Sequence, residues 1–239
     1  MLPIYHFHMP NQYLLTSTFL RFAESYESPE FKGKGFTLEE FQDWYASRGE
    51  GVFTYYEDWV GFNFPSYVVE DFTPSKFGVL SRKEHWVLDQ LKDAEGVYYV
   101  IASAAGLPAI EHELVHALFY IHLDYARKVE SIISEYKFTA LRSALVKLGY
   151  TESVIVDEIN AYLVTGLVKD LYRKSAREVL DATPRLIALA RETFGFDVNE
   201  PADVLSFLQR QVHHIDGASV YSPGQPRSSE SPIDCGSVS

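Results

Sequence analysis

The chain has 239 residues, with 21 lysines and arginines against 33 aspartates and glutamates, and its formal net charge is −12. This acidic balance, without a local basic patch, excludes general nucleic-acid binding, because the phosphate backbone would be repelled. Cys235 is the only cysteine, so a disulfide framework within the chain is excluded and a reducing compartment is favoured.

The aromatic content and the distribution of apolar residues predict a packed, soluble protein. Aromatic residues make up 15% of the chain, which is typical of globular rather than disordered proteins. The N-terminus lacks a basic region followed by an apolar run and a cleavage site, so a signal peptide is not expected. No stretch approaches about 18 uncharged apolar residues, so no transmembrane helix and no membrane partner are expected. We therefore predict a cytoplasmic protein.

Residues 1–75 are predicted to form an aromatic, irregular N-terminal segment that packs on the core. Within this segment, Thr37 and Glu40 fit a capping box that begins a short helix, and Gly49 ends that helix. Residues 51–72 contain short strand-like runs. We interpret these runs as core-forming, with a substrate-lining surface as the alternative.

Residues 76–216 show a regular pattern and are predicted to form the core domain. Ser81 and Glu84 fit a second capping box at the start of a helix. Residues 96–106 predict a β-strand, because β-branched and aromatic residues are enriched between two glycines. Pro108 suits the first turn of the next helix. Further helices are predicted at roughly 123–136, 139–149, 153–173, 184–194 and 201–213.

The succession of elements predicts an α+β fold. One strand among long helical patterns favours a mainly helical domain with a small β-sheet, in which the strand lies beside the helix that follows it. Residues 217–239 are rich in glycine, serine and proline, which predicts a disordered C-terminal tail.

Residues 112–116, HELVH, place two histidines four residues apart on a predicted helix. At about 100° per residue, His112 and His116 lie about 40° apart around the helix axis, so both imidazoles can bind one ion. Glu113 lies on the flank, where its carboxylate can take a proton from a water at the open position of a zinc ion. The flanking residues are apolar nearly all round, which indicates a buried helix. Buried polar side chains need partners, and this favours a metal site over an exposed amphipathic helix.

The third ligand of such a site has two candidates. His122 follows His116 by six residues, the spacing of zinc peptidases with a third histidine ligand. Those proteins break the helix at a glycine, and Phe119 occupies that position here. If the helix continues, His122 lies about 120° round from His116 and points away, so it ends the helix or packs at the surface. Glu158, on a later apolar helix, is the favoured ligand, and Asp157 is either an outer-shell acceptor for an imidazole or the ligand in its place.

Several other side chains are candidates for roles around the metal. Tyr162 follows Glu158 by four residues and shares its helix face, so its hydroxyl could brace the carboxylate or stabilise a developing oxyanion. Five further histidines could also approach an oxyanion, and the sequence prefers none of them: His6, His8, His85, His213 and His214. The last two are predicted to end the final helix, where a cation suits the helix dipole.

These features resemble the gluzincins, the thermolysin-like zinc peptidases whose site has two histidines and a glutamate. The resemblance covers roughly residues 81–170 and rests on the HELVH motif, on the glutamate helix and on the order of the elements. It implies a zincin-like metallopeptidase domain with Zn²⁺ as cofactor and a peptide or protein as substrate. The implied ligands are His112, His116 and Glu158, with Glu113 as the general base.

The resemblance has two further consequences. In such families the strand before the active helix is a sheet edge that holds an extended substrate, which implies this role for residues 98–103. The thermolysin pattern has an aspartate four residues after the ligand glutamate, and Tyr162 departs from it.

Two other interpretations stay open. A di-iron carboxylate protein would use Glu113 and His116 as one E-x-x-H ligand pair, but that class needs a second such pair on another helix, and the sequence has none. A non-catalytic interaction module with a vestigial or accidental motif is the other alternative, and analysis of the metal content would distinguish it from an enzyme.

Overall fold

The computed structural model describes residues 1–49, 51–106, 109–166 and 176–221. The strands in these ranges form one sheet with the order β2-β3-β1-β4. β1 pairs in parallel with both β3 and β4, whereas β2 pairs antiparallel with β3. The strands are β1 (Ile4–Met9), β2 (Gly61–Pro65), β3 (Tyr99–Ala104) and β4 (His213–Asp216).

Helices make up most of the remaining described chain, and the fold is α+β, as the sequence predicts. None of these helices combines the length and the hydrophobicity that crossing a bilayer requires. A short 3₁₀ helix covers Gly217–Tyr221. The helices are α1 (Gln12–Glu27), α2 (Leu38–Arg48), α3 (Tyr55–Asp58), α4 (Ser66–Asp71), α5 (Pro74–Phe77), α6 (Arg82–Leu91), α7 (Ile110–Ile121), α8 (Leu123–Ser134), α9 (Thr139–Leu148), α10 (Ile155–Thr165), α11 (Ala176–Phe194) and α12 (Pro201–Gln211).

The position of β3 differs from the one that the resemblance implies. β3 lies inside the sheet, between β2 and β1, so residues 98–103 are not a sheet edge and that expectation is wrong. β2 is the edge strand on this side, and α7 contacts both β2 and β3. The strand predicted at residues 96–106 does lie beside the HELVH helix. β2, which comes from the aromatic N-terminal segment, pairs along the edge of this strand that was expected to be free.

The N-terminus is more regular than the sequence suggests. β1 is an inner strand, and α1 follows it after Asn11, whose side-chain Oδ1 accepts a hydrogen bond from the backbone N–H of Leu14 at 2.9 Å. β1 contains two polar residues, His6 and His8. His6 is nevertheless buried, and its Nε2 lies 2.8 Å from Ser103 Oγ on β3. An inner strand buries both faces, so a polar residue there needs such a partner.

Helices with local start signals match their predictions. Thr37 and Glu40 form a capping box at the start of α2, and Gly49 caps its end. Ser81 and Glu84 form the second capping box, at the start of α6. A capping box depends on residues only three positions apart, which is why the sequence alone identifies it.

The C-terminal part corrects two predictions. α12 ends at Gln211, and His213 and His214 lie in β4 rather than at the end of the helix. The ring of His213 stacks on that of Tyr5 of β1 with 4.6 Å between centroids. The pairing of β4 with β1 joins parts of the chain about 200 residues apart and therefore has no local signature.

α11 begins well before the predicted residue 184. Pro184 lies inside the helix, which starts at Ala176. A proline in a helix interior removes one backbone hydrogen bond, but here an apolar face runs through it. Val179, Ala182, Leu186 and Leu189 are buried at helical spacing on both sides of the proline, and their packing keeps the helix continuous. Its predicted end is confirmed, since Gly195 follows with a φ of 74°.

Three predictions lie wholly or partly outside the described residues. Pro108, which was predicted to lie in the first turn of the HELVH helix, is not described. The helix predicted at 153–173 is α10, which ends at Thr165, and residues 167–175 are not described. Of the tail predicted from residue 217, the structure describes only the 3₁₀ helix.

α7 is the element through which the parts of the fold meet. Leu114, Ala117 and Leu118 of this helix pack in one apolar cluster with residues of β1 and β3. Val115 faces a second cluster, built mainly from α8 to α11. α7 therefore lies between the sheet and the C-terminal helices, and it also contacts β2 and α10.

A buried ion pair fastens α1 to α6. Arg21 and Glu84 form a bidentate pair, with Nε 2.7 Å from Oε1 and Nη2 2.6 Å from Oε2. The Arg21 guanidinium also donates to the backbone carbonyls of Phe36, Phe77 and Val79. All five guanidinium donors are thus used, which satisfies the charge inside the protein.

Replacing Arg21 should destabilise the fold strongly. Arg21→Ala leaves the buried Glu84 carboxylate without its cation, and we expect a loss of about 3–5 kcal/mol in the free energy of unfolding, measured by urea denaturation. Arg127→Ala is the matched control, because Arg127 and Asp124 form a pair whose side chains are 74% and 82% exposed; its effect should stay within about 0.5 kcal/mol. Equal effects of the two variants would contradict the role given to Arg21.

Candidate metal centre

The packing of α7 on α10 brings three predicted residues together. His112 Nε2 and His116 Nε2 lie 3.0 Å apart. On α10, Glu158 Oε1 lies 3.6 Å from His116 Nε2, and Glu158 Oε2 lies 3.7 Å from His112 Nε2. Within the described residues this is the group of histidines and carboxylates whose ligand atoms are all close enough to hold one metal ion.

These separations suit a tetrahedral ion. With ligand bonds of about 2.0–2.1 Å to zinc, neighbouring ligand atoms lie about 3.4 Å apart. The observed separations of 3.0, 3.6 and 3.7 Å lie on both sides of this value. In addition, the Glu158 side chain is 2% exposed and its Oε2 has no hydrogen-bond partner among the described residues. A buried carboxylate oxygen without a donor is costly, and a cation at this point would remove the cost.

Two other side chains of α10 orient the imidazoles. Asp157 Oδ2 lies 2.9 Å from Nδ1 of His116. Thr165 Oγ1 lies 3.4 Å from Nδ1 of His112, and it donates its own proton to the carbonyl of Ala161 at 2.7 Å, so it is an acceptor towards the histidine. Both Nδ1 atoms therefore face acceptors. Both Nε2 atoms face each other and Glu158, which is the orientation that metal-binding histidines need.

Burial and charge shift the pKa values of the cluster. Burial, followed by the positive charge of His116, lowers the pKa of His112 to about 4. Burial raises the pKa of Glu158 to about 7, against the opposing effect of His116. For His116, burial lowers the pKa, but Asp157 and Glu158 raise it well above its ordinary value. Without a metal, the surroundings thus favour a neutral His112 beside buried acidic groups that are hard to ionise.

Glu113 lies on the other flank of α7 and contacts β2. Asn63 Nδ2 donates to Glu113 Oε2 at 2.7 Å, and the Tyr99 hydroxyl donates to Asn63 Oδ1 at 2.5 Å. Gly61 makes room for the carboxylate, because a Cβ at this position would lie 2.3 Å from Glu113 Oε1. Burial raises the pKa of Glu113 above its ordinary value, whereas His112, His116 and Asn63 lower it. The orienting role of Asn63 was not predicted from the sequence.

Tyr162 lies against the histidines, and His122 does not. The ring centroid of Tyr162 is 4.7 Å from that of His112. His122 ends α7, where its backbone N–H donates to the Leu118 carbonyl at 3.1 Å, and its ring contacts Phe194 at 5.4 Å. The prediction that His122 ends the active helix is confirmed.

The remaining histidines lie elsewhere. Four of them lie on β1 and β4: His6, His8, His213 and His214. His85 lies on α6. None of the five lines the described walls of the cavity that contains the cluster.

The cluster opens into a cavity of about 920 Å³. Its walls include the end of α1, β2 with the residues just before it, α7 and α10. Residues 59–63 line the cavity, while Phe62 and Phe64 of the same segment belong to the core. The core-forming interpretation is thus confirmed for Phe62 and Phe64, and the substrate-lining interpretation stays a prediction.

Two acidic residues of the cavity wall were missed by the sequence reasoning. Glu24 and Glu27, one turn apart at the end of α1, line the cavity. Burial raises the pKa of Glu24 to about 7, and burial together with Glu158 raises that of Glu27 well above its ordinary value. Their only sequence signal is the three-residue spacing on a helix, and that helix was not recognised.

No protein-family model, curated protein or solved structure matches this chain, so its interpretation rests on the geometry of the chain itself.

Proposed function

We propose that this protein is a zinc-dependent metallopeptidase with a gluzincin-type, zincin-like site. His112, His116 and Glu158 bind Zn²⁺, and Glu113 is the general base. The observation that supports this most strongly is the convergence of both Nε2 atoms on the buried carboxylate of Glu158, whose Oε2 has no partner, beside a second glutamate in the same cavity.

Each residue around the metal has a separate task. Zinc lowers the pKa of a bound water and polarises a carbonyl group. Glu113 is held towards β2 by Asn63, and its carboxylate takes the proton of the attacking water and later gives it to the leaving amine. Asp157 and Thr165 fix the imidazole orientations. Tyr162, whose ring packs on His112 in the cavity, is the proposed donor to the developing oxyanion.

A peptide is the proposed substrate because of the strand beside the site. β2 pairs with β3 along one side only, and no strand of the described chain pairs with its other side. A sheet edge can accept an extended peptide as an added strand, and Gly61, the one residue of β2 that is not buried, lies at the cavity. Gly61, Phe62 and Asn63 of this strand line the cavity, so a peptide paired there would lie within reach of the cluster. β2 thus takes the substrate-binding role that the resemblance implied for β3.

The interaction-module alternative makes a different use of the same cluster. In that case the protein binds a partner or a metal without hydrolysis, and the position of the Glu113 carboxylate has no effect on function. The variants below separate these two functions.

Zinc content should depend on Glu158 and not on His122. Glu158→Ala leaves two protein ligands for an ion that needs three, so most of the zinc should be lost during dialysis. His122→Ala should keep about one zinc ion per chain, because His122 lies outside the cluster. Elemental analysis of the purified proteins measures both values. Zinc lost from His122→Ala and retained in Glu158→Ala would overturn the ligand assignment.

Glu113→Gln should keep zinc and lose hydrolysis. The amide has the shape of the carboxylate but cannot take a proton, so kcat on any cleaved peptide should fall at least about 100-fold. A peptide library analysed by mass spectrometry identifies the cleaved substrate in the wild type. A zinc-loaded wild type that cleaves no library member would favour the interaction module, and a fully active Glu113→Gln would refute the assigned role.

Gly61→Ala should impair catalysis without removing the metal. The new methyl group would meet Glu113 Oε1 at 2.3 Å and Ala109 Cβ at 2.8 Å, and the free end of the glutamate is the part that can yield. We expect unchanged zinc content and a fall in kcat of at least about tenfold, since the base is displaced from its productive position. Gly49→Ala is the control, because its new Cβ would meet nothing closer than 3.9 Å. Equal activity of both variants would show that the position of Glu113 is not critical.

A further inference from the structure

The cavity beside the cluster is strongly acidic. Six carboxylates line it, and no lysine or arginine of the described residues does. A divalent ion at the cluster would offset at most two of the negative charges that these groups carry when they are ionised. The six residues are Glu24, Glu27, Asp58, Glu111, Glu113 and Glu158.

The negative potential is concentrated at the end of α1. Glu24 and Glu27 lie in the last turn of this 16-residue helix, which contains no basic residue there. The C-terminal end of a helix already has negative potential, and cations rather than carboxylates are stabilising at this position. Two glutamates facing a cavity from such an end are unfavourable for the free protein. This pattern is expected where the compensating charge comes from a bound molecule.

Two cations lie near this wall, but both are held outside the cavity by other contacts. Lys32 donates from Nζ to Ser153 Oγ at 2.6 Å and lies over the ring of Tyr26. Arg48 lies over the ring of Trp44, 4.9 Å from its centroid. Neither side chain lines the cavity, although both are close enough to influence the pKa values of the glutamates or to be influenced by them.

A second observation indicates a ligand in the same space. The Glu158 side chain, 2% exposed, lines the same cavity, and its unpartnered oxygen is the one assigned to the metal, so the cavity already holds a buried position for a cation near this wall. Tyr45, Tyr55 and Trp59 add aromatic surface between the cluster and the end of α1. Aromatic rings beside carboxylates suit a cation that has an apolar stem, such as an alkyl ammonium or a guanidinium group.

We propose that Glu24 and Glu27 bind a positively charged group of the substrate, an ammonium or a guanidinium, while the neighbouring bond lies at the metal. The substrates are therefore cationic peptides, and the charge comes either from a free N-terminus or from a lysine or arginine side chain. The proposal rests on the proposed function, which makes this cavity the substrate site.

Binding of matched peptides tests the proposal independently of hydrolysis. The protein is the zinc-loaded full chain with Glu113→Gln, which prevents turnover, and isothermal titration calorimetry measures the affinity. One pair of N-acetylated tripeptide amides has arginine or its neutral isostere citrulline at the same position. A second pair is a neutral tripeptide amide with a free or an acetylated N-terminus. The first pair tests the side-chain source of the charge, and the second tests the N-terminal source.

We expect the charged member of at least one pair to bind at least about tenfold more tightly, as a charge-assisted contact predicts. Adding Glu24→Gln and Glu27→Gln should reduce that preference to less than about twofold, while affinity for the neutral member and zinc content stay unchanged. Adding Glu30→Gln is the control, because Glu30 pairs with Lys34 on the surface and does not line the cavity; the preference should remain.

Three results would overturn the proposal: equal affinities within both pairs, no measurable binding of any member, or a preference that survives loss of both glutamates. Failure of the proposed function has a separate signature. If the wild type cleaves no peptide but the variants lose their charge preference as described, catalysis is refuted and cation binding at this wall is supported.

Discussion

The burial of α7 on nearly every side is the constraint on which the rest of the structure depends. Its apolar side chains pack on the sheet on one side and on the C-terminal helices on another. Three of its polar side chains, those of His112, Glu113 and His116, lie in two remaining seams, one towards α10 and one towards β2. His112 and His116 meet Glu158 in the first seam, and Glu113 meets Asn63 in the second. The tertiary packing thus separates the proposed ligands from the proposed base, although three of these four residues lie within five consecutive positions.

The parts of this arrangement that the sequence predicted are those with a local physical cause. The four-residue spacing of the histidines fixes their common helix face, and the capping boxes of α2 and α6 depend on residues three positions apart. Glu158 was a less local inference. It relied on the need of the histidines for a carboxylate and on an apolar helix that places one in its first turn. The structure brings these three residues together, and their roles stay proposals.

The parts that the sequence did not predict depend on contacts between distant segments. β1 was not predicted, and the burial of His6 in this strand is explained only by β3 and β4 on either side. β3 was expected at the sheet edge, but β2, from the aromatic segment, pairs with it there. Asn63 and the glutamates of α1 reach the cavity through that same assembly, across 50 residues in the case of Asn63 and Glu113. No spacing rule relates such residues, since their proximity is a consequence of the complete fold.

The distribution of carboxylates around the cavity bears on which substrates the proposed site would bind. The fold places carboxylates around the cavity from four separate helices, α1, α3, α7 and α10, and burial raises the pKa values of Glu24, Glu27, Glu113 and Glu158. Each of these groups is costly to ionise in the protein alone, and the cost falls when a cation lies beside it. A metal ion at the histidines would compensate the groups on α7 and α10, but the glutamates of α1 lie at the end of a helix whose dipole has the same sign as their charge. A substrate that brings a positive charge would lower this cost and, in the proposed site, would be oriented with that charge at α1 and its neutral backbone along β2.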